Sequence, residues 1–179
     1  MPQWRTRRPD VAVRVTAEWR RTMGIAMTIQ QYLDDRCLSY DVMTHPRTLC
    51  SSATAHASSI AEDNLAKGVL IKRKDGYLLA IVPASCHVRL DQLGTWLSQP
   101  VGLATEEEVA AIFGDCEPGA VPPVAAAYGL QAVVDESLEG LNNVYFEGGD
   151  HRTLVHVTGR EFHRLMAKFP HVRFSARGP

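Results

Sequence analysis

The stretch KGVLIKRKDGYLLAIVP, Lys67 to Pro83, constrains the fold more than any other part of the chain. GVLIK and YLLAIV are runs rich in strand-forming residues. Asp75-Gly76 between them is a strong tight-turn pair. Together they predict an antiparallel hairpin, and with it a sheet. The length of 179 residues suits one domain, and the 45% apolar content can fill a single core.

Other segments interleave with that hairpin. Residues 40–45, 130–135, 143–149 and 153–158 predict strands. Residues 51–64, 88–99, 105–114 and 159–169 predict helices, the first of them opening on serine caps. A further helix starts at Met27, with Thr28 as its N-cap. Thr105 and Glu108 have capping-box spacing, and Gly114 sits where it could end that helix. Several strand connections are too short for βαβ crossovers. The pattern predicts a single α/β domain with a mixed, curved sheet and peripheral helices. Residues 1–26, rich in Arg and Trp and without clear periodicity, read as a flexible N-terminal extension, and 27–179 as the domain.

Charge and cysteine usage narrow the function classes. Nineteen basic residues face twenty acidic ones, a net of -1. That argues against a protein that coats DNA or a long nucleic-acid backbone, and leaves room for one that touches a small piece of RNA. Cys37, Cys50, Cys86 and Cys116 form no CxxC pair, so no structural zinc site is expected. With no leader-like segment and no apolar run that could span a bilayer, the expectation is a cytoplasmic protein with reduced thiols and no membrane partner.

The chain holds no GxSxG elbow, HExxH or P-loop. Two features could carry chemistry. Lys67 opens an apolar strand, where its ammonium either snorkels to water or points into a cavity formed by a curving sheet. The second is GDCEPGAVPP, Gly114 to Pro123, which neither a helix nor a central strand could hold. Gly119 can take a positive φ and admit close approach of another molecule. Ala120 and Val121 could then present backbone N–H groups, while Pro122 and Pro123 fix the far side. Read from the residues alone, a plain connector remains equally open.

From Met27 onward the sequence resembles the YbaK/prolyl-tRNA synthetase-associated domain family, whose members hydrolyse mischarged aminoacyl-tRNA. AKGVLIK resembles that family's lysine-led strand, GAVPP its G-x-x-x-P loop, and VYFEGGDHRTLVHVTGREFHRLM its strand, turn, strand and closing helix. Ala125 stands where a glycine often follows the family's proline. The resemblance implies a barrel-like curved sheet and an aminoacyl-tRNA deacylase acting on a small amino acid, without metal or cofactor. It implies catalytic roles for Lys67 and Gly119, and a pocket wall of Ala120, Val121, Pro122 and Pro123 bordered by His45 and His151. The implied partner is the acceptor end of aminoacyl-tRNA, delivered by a synthetase or an elongation factor. Two alternatives remain at this point: a non-catalytic aminoacyl- or nucleotide-binding module of the same fold, and a metal-dependent hydrolase using His151, His156 and His163, for which the spacing is poor.

Overall fold

The computed structural model describes residues 4–7 and 24–178. Most of the expected extension, residues 1–26, lies outside the described residues. Eleven strands and five α-helices are described. The strands are β1 (Trp4–Arg7), β2 (Tyr40–Thr44), β3 (Leu65–Arg73), β4 (Gly76–Pro83), β5 (Cys86–Val88), β6 (Val101–Leu103), β7 (Gln131–Asp135), β8 (Asn143–Glu147), β9 (Thr153–Thr158), β10 (His171–Val172) and β11 (Ser175–Arg177). The helices are α1 (Met27–Asp35), α2 (Ser51–Ala57), α3 (Leu90–Leu97), α4 (Glu106–Ile112) and α5 (Gly159–Met166).

The main sheet runs β1-β2-β9-β8-β3-β4-β7-β10, with β6 also on β3; β5 and β11 pair separately. It is mixed, since β3 with β8, β4 with β7, and β7 with β10 are parallel and the other pairs antiparallel. This is the expected α/β class, and among the described residues the sheet stays open between edges β1 and β10.

The β3–β4 hairpin is its centre. The turn is Lys74-Asp75, because Arg73 pairs with Gly76. Leu78 to Pro83 are all buried, as an unbroken apolar run should be when both faces of a strand are covered. Leu79 and Ile81 face the larger core with Val134, Phe146 and Phe162. Leu78, Ala80 and Val82 face a second core with Leu93 and Phe174. Pro83 lies opposite Ala66. The neighbouring Ala84 N–H donates to the Leu65 carbonyl at 2.7 Å, which fixes the hydrogen-bonding phase. Pro83 therefore falls where no ladder N–H is required.

Local signals failed at three places. Thr28 is not the cap of α1. Ala26 is the N-cap and makes no side-chain cap bond; the Thr28 N–H instead donates to Asp115 Oδ2, 87 residues away, at 2.9 Å. The helix expected over 51–64 ends at Ala57, after which Ser59 turns left-handed (φ 56°) and Glu62–Asn64 form a separate 3-10 turn. Gly114 directly follows Phe113, the C-cap of α4, where a helix-ending glycine is expected, but it does not take the left-handed conformation. The short strands β5, β6, β10 and β11 lack any periodicity to announce them. The capping box of Thr105 and Glu108 is present as expected.

Candidate functional site

The site begins as a gap in the sheet. One edge of β3 is served by two strands: β8 pairs with Leu65 and Ala66, and β6 with Ile71 to Arg73. Between them, Lys67 to Val69 have no strand on that side. The same phase that frees Pro83 turns the N–H and C=O of Gly68 away from β4 and into the gap. A Cβ on Gly68 would lie 3.2 Å from the Pro122 carbonyl oxygen and 3.2 Å from Val121 Cγ1. The Gly119–Pro123 loop thus packs directly on the strand that carries Lys67, and only a residue without a side chain lets it come so close.

Lys67 points to the opposite face from Gly68, as alternation requires. It is half-buried, and its Nζ donates to the Ala84 carbonyl at 3.2 Å. Burial pushes its pKa down; Cys86, Glu62 and Cys50 act in the opposite direction. The lysine does not simply snorkel to water.

In the loop, Gly119 takes φ +84°, the left-handed conformation expected of it. Ala120 is fully buried and its N–H donates to the Glu117 carbonyl at 3.0 Å. It cannot also present that donor to a ligand, contrary to the expectation for this residue. Pro122 and Pro123 have no N–H. The N–H groups of Gly119 and Val121 meet no acceptor among the described residues and are the donors the loop can offer. Three contacts hold it: Glu117 N–H to the Gly149 carbonyl at 2.7 Å, the Arg47–Glu117 ion pair at 2.6 Å, and His151 Nε2 to the Pro118 carbonyl at 2.7 Å. The ion pair is half exposed and contributes little energy. His151 also stands 3.6 Å from where a Cβ on Gly119 would be.

Sequence reasoning missed Glu147. It follows Phe146, which pairs with Ala66, so it comes level with Lys67 where β8 and β3 part. Its side chain is buried. Oε1 accepts from the Thr54 hydroxyl at 2.7 Å, and Thr54 in turn lies 2.6 Å from the Thr48 hydroxyl. Oε2 has no hydrogen-bond partner. Burial pushes the carboxyl pKa up, against the Thr54 hydrogen bond and the nearby His45 and His151. His45 is buried too, with Nδ1 2.7 Å from the Pro46 carbonyl and Nε2 unpartnered. Backbone bonds from His45 to Arg152 and from Thr48 to His151 keep this segment beside the β8–β9 turn. In the sequence, Glu147 was one acid in a strand; nothing local marked it as buried.

The structure therefore joins the Gly119 loop, Gly68, Glu147, His45 and His151 around one gap, with Lys67 on its rim. It does not join His156 to them: that ring lies between Asp41 Oδ2 at 3.2 Å and Asn143 Oδ1 at 2.9 Å, stacked on Tyr145. Among the described residues no group of three His, Cys, Asp or Glu side chains is arranged to hold a metal, and no helix is long and apolar enough to cross a membrane.

Residues 45–165 match the aminoacyl-tRNA editing domain, and the chain belongs to that family. No curated protein matches it. Among solved structures, a candidate trans-editing enzyme for prolyl tRNA synthetase is 27% identical with a TM-score of 0.71, over 86% of this chain and 97% of that one. A scaffold used for computational grafting of linear epitopes is 26% identical with a TM-score of 0.72, over 86% and 97%. A hypothetical protein, APE2540, is 22% identical with a TM-score of 0.74, over 83% and 99%, and shares the fold.

Proposed function

We propose, with membership of the aminoacyl-tRNA editing family as the premise, that this domain is a trans-editing deacylase for tRNA mischarged with a small amino acid. The observation that carries the reading is the gap in the β3 edge itself, where the left-handed Gly119 loop packs on the bare Gly68 and Lys67 is the neighbouring strand residue, on the opposite face. The ester joining an amino acid to the terminal ribose is already activated, so water suffices as nucleophile. Its oxygen attacks the carbonyl carbon, the carbon–oxygen bond to the ribose breaks, and the ribose oxygen leaves with a proton. The N–H groups of Gly119 and Val121 hold the developing oxyanion. Lys67 orients the ribose or the terminal phosphate. A small pocket at this gap would admit Ala or Ser and exclude larger side chains, in the manner of a second sieve.

A net charge of -1 suits a protein that handles only the acceptor end. A synthetase or an elongation factor would then present the tRNA, and the likeness to a candidate trans-editing enzyme for prolyl tRNA synthetase favours the synthetase. Such work belongs in the cytoplasm, where translation runs.

A deacylation panel of tRNAs charged with Ala, Ser, Cys and Thr tests the reading. Hydrolysis of at least one small aminoacyl ester above the spontaneous rate is expected. Lys67→Ala should cut that rate strongly and leave the thermal melt nearly unchanged. Full rates in that variant would remove the lysine from the mechanism. Binding without hydrolysis across the panel would assign the binding module instead.

A further inference from the structure

The unpaired atoms beside the gap have one chemical character in common. His45 Nδ1 faces the Pro46 carbonyl at 2.7 Å and must be the protonated nitrogen to hydrogen-bond there, so in the neutral ring Nε2 is an acceptor. Glu147 Oε2 is an acceptor as well. Glu147 is 7% exposed and His45 8%, and neither atom has a partner. Buried acceptors without a donor are costly. The other carboxylates around the gap are matched: Glu117 by Arg47, and Asp150 by the Arg152 and Thr153 N–H groups and the Thr153 hydroxyl. What this corner lacks is a compact group with several N–H donors and a positive charge.

We infer that Glu147, with His45 beside it, receives the α-ammonium of the aminoacyl group, which makes it the residue that selects a free amino acid ester over an N-blocked one. The inference rests on the deacylase reading for the identity of the ligand. Glu147 is level with Lys67 across the parting strands, and His151, which acts on Glu147's charge, is in contact with the loop that carries the Gly119 and Val121 donors. The α-ammonium is one bond from the carbon next to the carbonyl, so an acceptor for it must stand beside the oxyanion donors. Thr54, itself held by Thr48, orients the carboxylate by donating to Oε1, which leaves Oε2 for the substrate.

The test uses adenosine 3′-aminoacylamides of Ala, Ser, Cys and Thr, which cannot be hydrolysed, each with a free and an N-acetylated amine. Binding to the wild-type protein is measured by calorimetry. The free-amine form of at least one amide should bind about tenfold or more tightly than its N-acetyl partner. Glu147→Gln, checked by its melt, should bind both forms alike. Equal wild-type affinity for the two forms, no binding of any amide, or a preference retained in Glu147→Gln would overturn the inference; the first two need no variant. Hydrolysis separates this result from the deacylase reading. A protein that prefers the free amine yet hydrolyses no charged tRNA keeps the ammonium site and loses the deacylase. One that hydrolyses aminoacyl- and N-acetylaminoacyl-tRNA equally keeps the deacylase and loses the ammonium site.

Discussion

Gly119 and Gly68 do different work at the same contact. Gly119 stands at φ +84°, where a side chain with a branched Cβ is strained by about 1 kcal/mol or more. Gly119→Val should therefore move the loop donors and cut deacylation, with a modest loss of stability. Gly68 has no positive φ; it is needed because a Cβ would press on the Pro122 carbonyl oxygen at 3.2 Å and on Leu79 Cδ1 at 3.1 Å. Gly68→Ala should push the loop off β3 and lower single-turnover rates while the protein still folds. Wild-type single-turnover rates in Gly68→Ala would mean that the contact between loop and strand does not matter for chemistry. Of these residues, Gly119 was legible in the sequence, because a glycine among prolines signals a special backbone conformation. Gly68 was hidden, since its role depends on a loop more than fifty positions away.

At the scale of single elements, two helix ends carry predictions. The N-terminus of α1 has no side-chain cap of its own and takes Asp115, at the start of the proline-rich stretch, as a substitute. Asp115→Ala should lower stability by about 1 kcal/mol, the usual worth of a cap, as read from denaturant midpoints at constant slope. Tyr128 also donates to Asp115 at 3.0 Å, so Asp115→Asn should restore part of the loss. In α4, Glu108 closes the capping box and also meets Lys72 and Tyr77. These partners, Lys72 foremost, hold its carboxyl at about 2, against an ordinary 4.5. A depressed carboxyl stabilises the fold above its unfolded value, and that contribution is lost as pH falls from about 4.5 toward 2. Glu108→Gln should accordingly flatten the acid arm of the stability profile between those values; an unchanged arm would show that Glu108 is not held this way.

Across the whole molecule, the boundary expected at Met27 meets a packed segment. Ile25 and Ala26 are buried in the larger core, and the Ala26 N–H donates to the Gly148 carbonyl at 2.7 Å. A chain beginning at Gly24 should be more stable than one beginning at Met27, by about 1.5–3 kcal/mol for the isoleucine alone; equal melting temperatures would restore the boundary at Met27. Local chemistry was enough to read the β3–β4 hairpin, the strands expected over 130–135, 143–149 and 153–158, the capping box of α4 and the left-handed bend at Gly119. Each follows from side-chain alternation, turn residues or cap spacing within about ten positions. That β8 runs parallel to β3 for two residues and then parts from it is a matter of long-range pairing, legible in no local stretch. That parting leaves the edge of Gly68 bare, brings Glu147 level with Lys67 across 80 positions of chain, and buries a carboxylate oxygen without a donor. Local periodicity says which face of a strand is apolar. It does not say which strand lies alongside, and burial of a polar group is set by that neighbour.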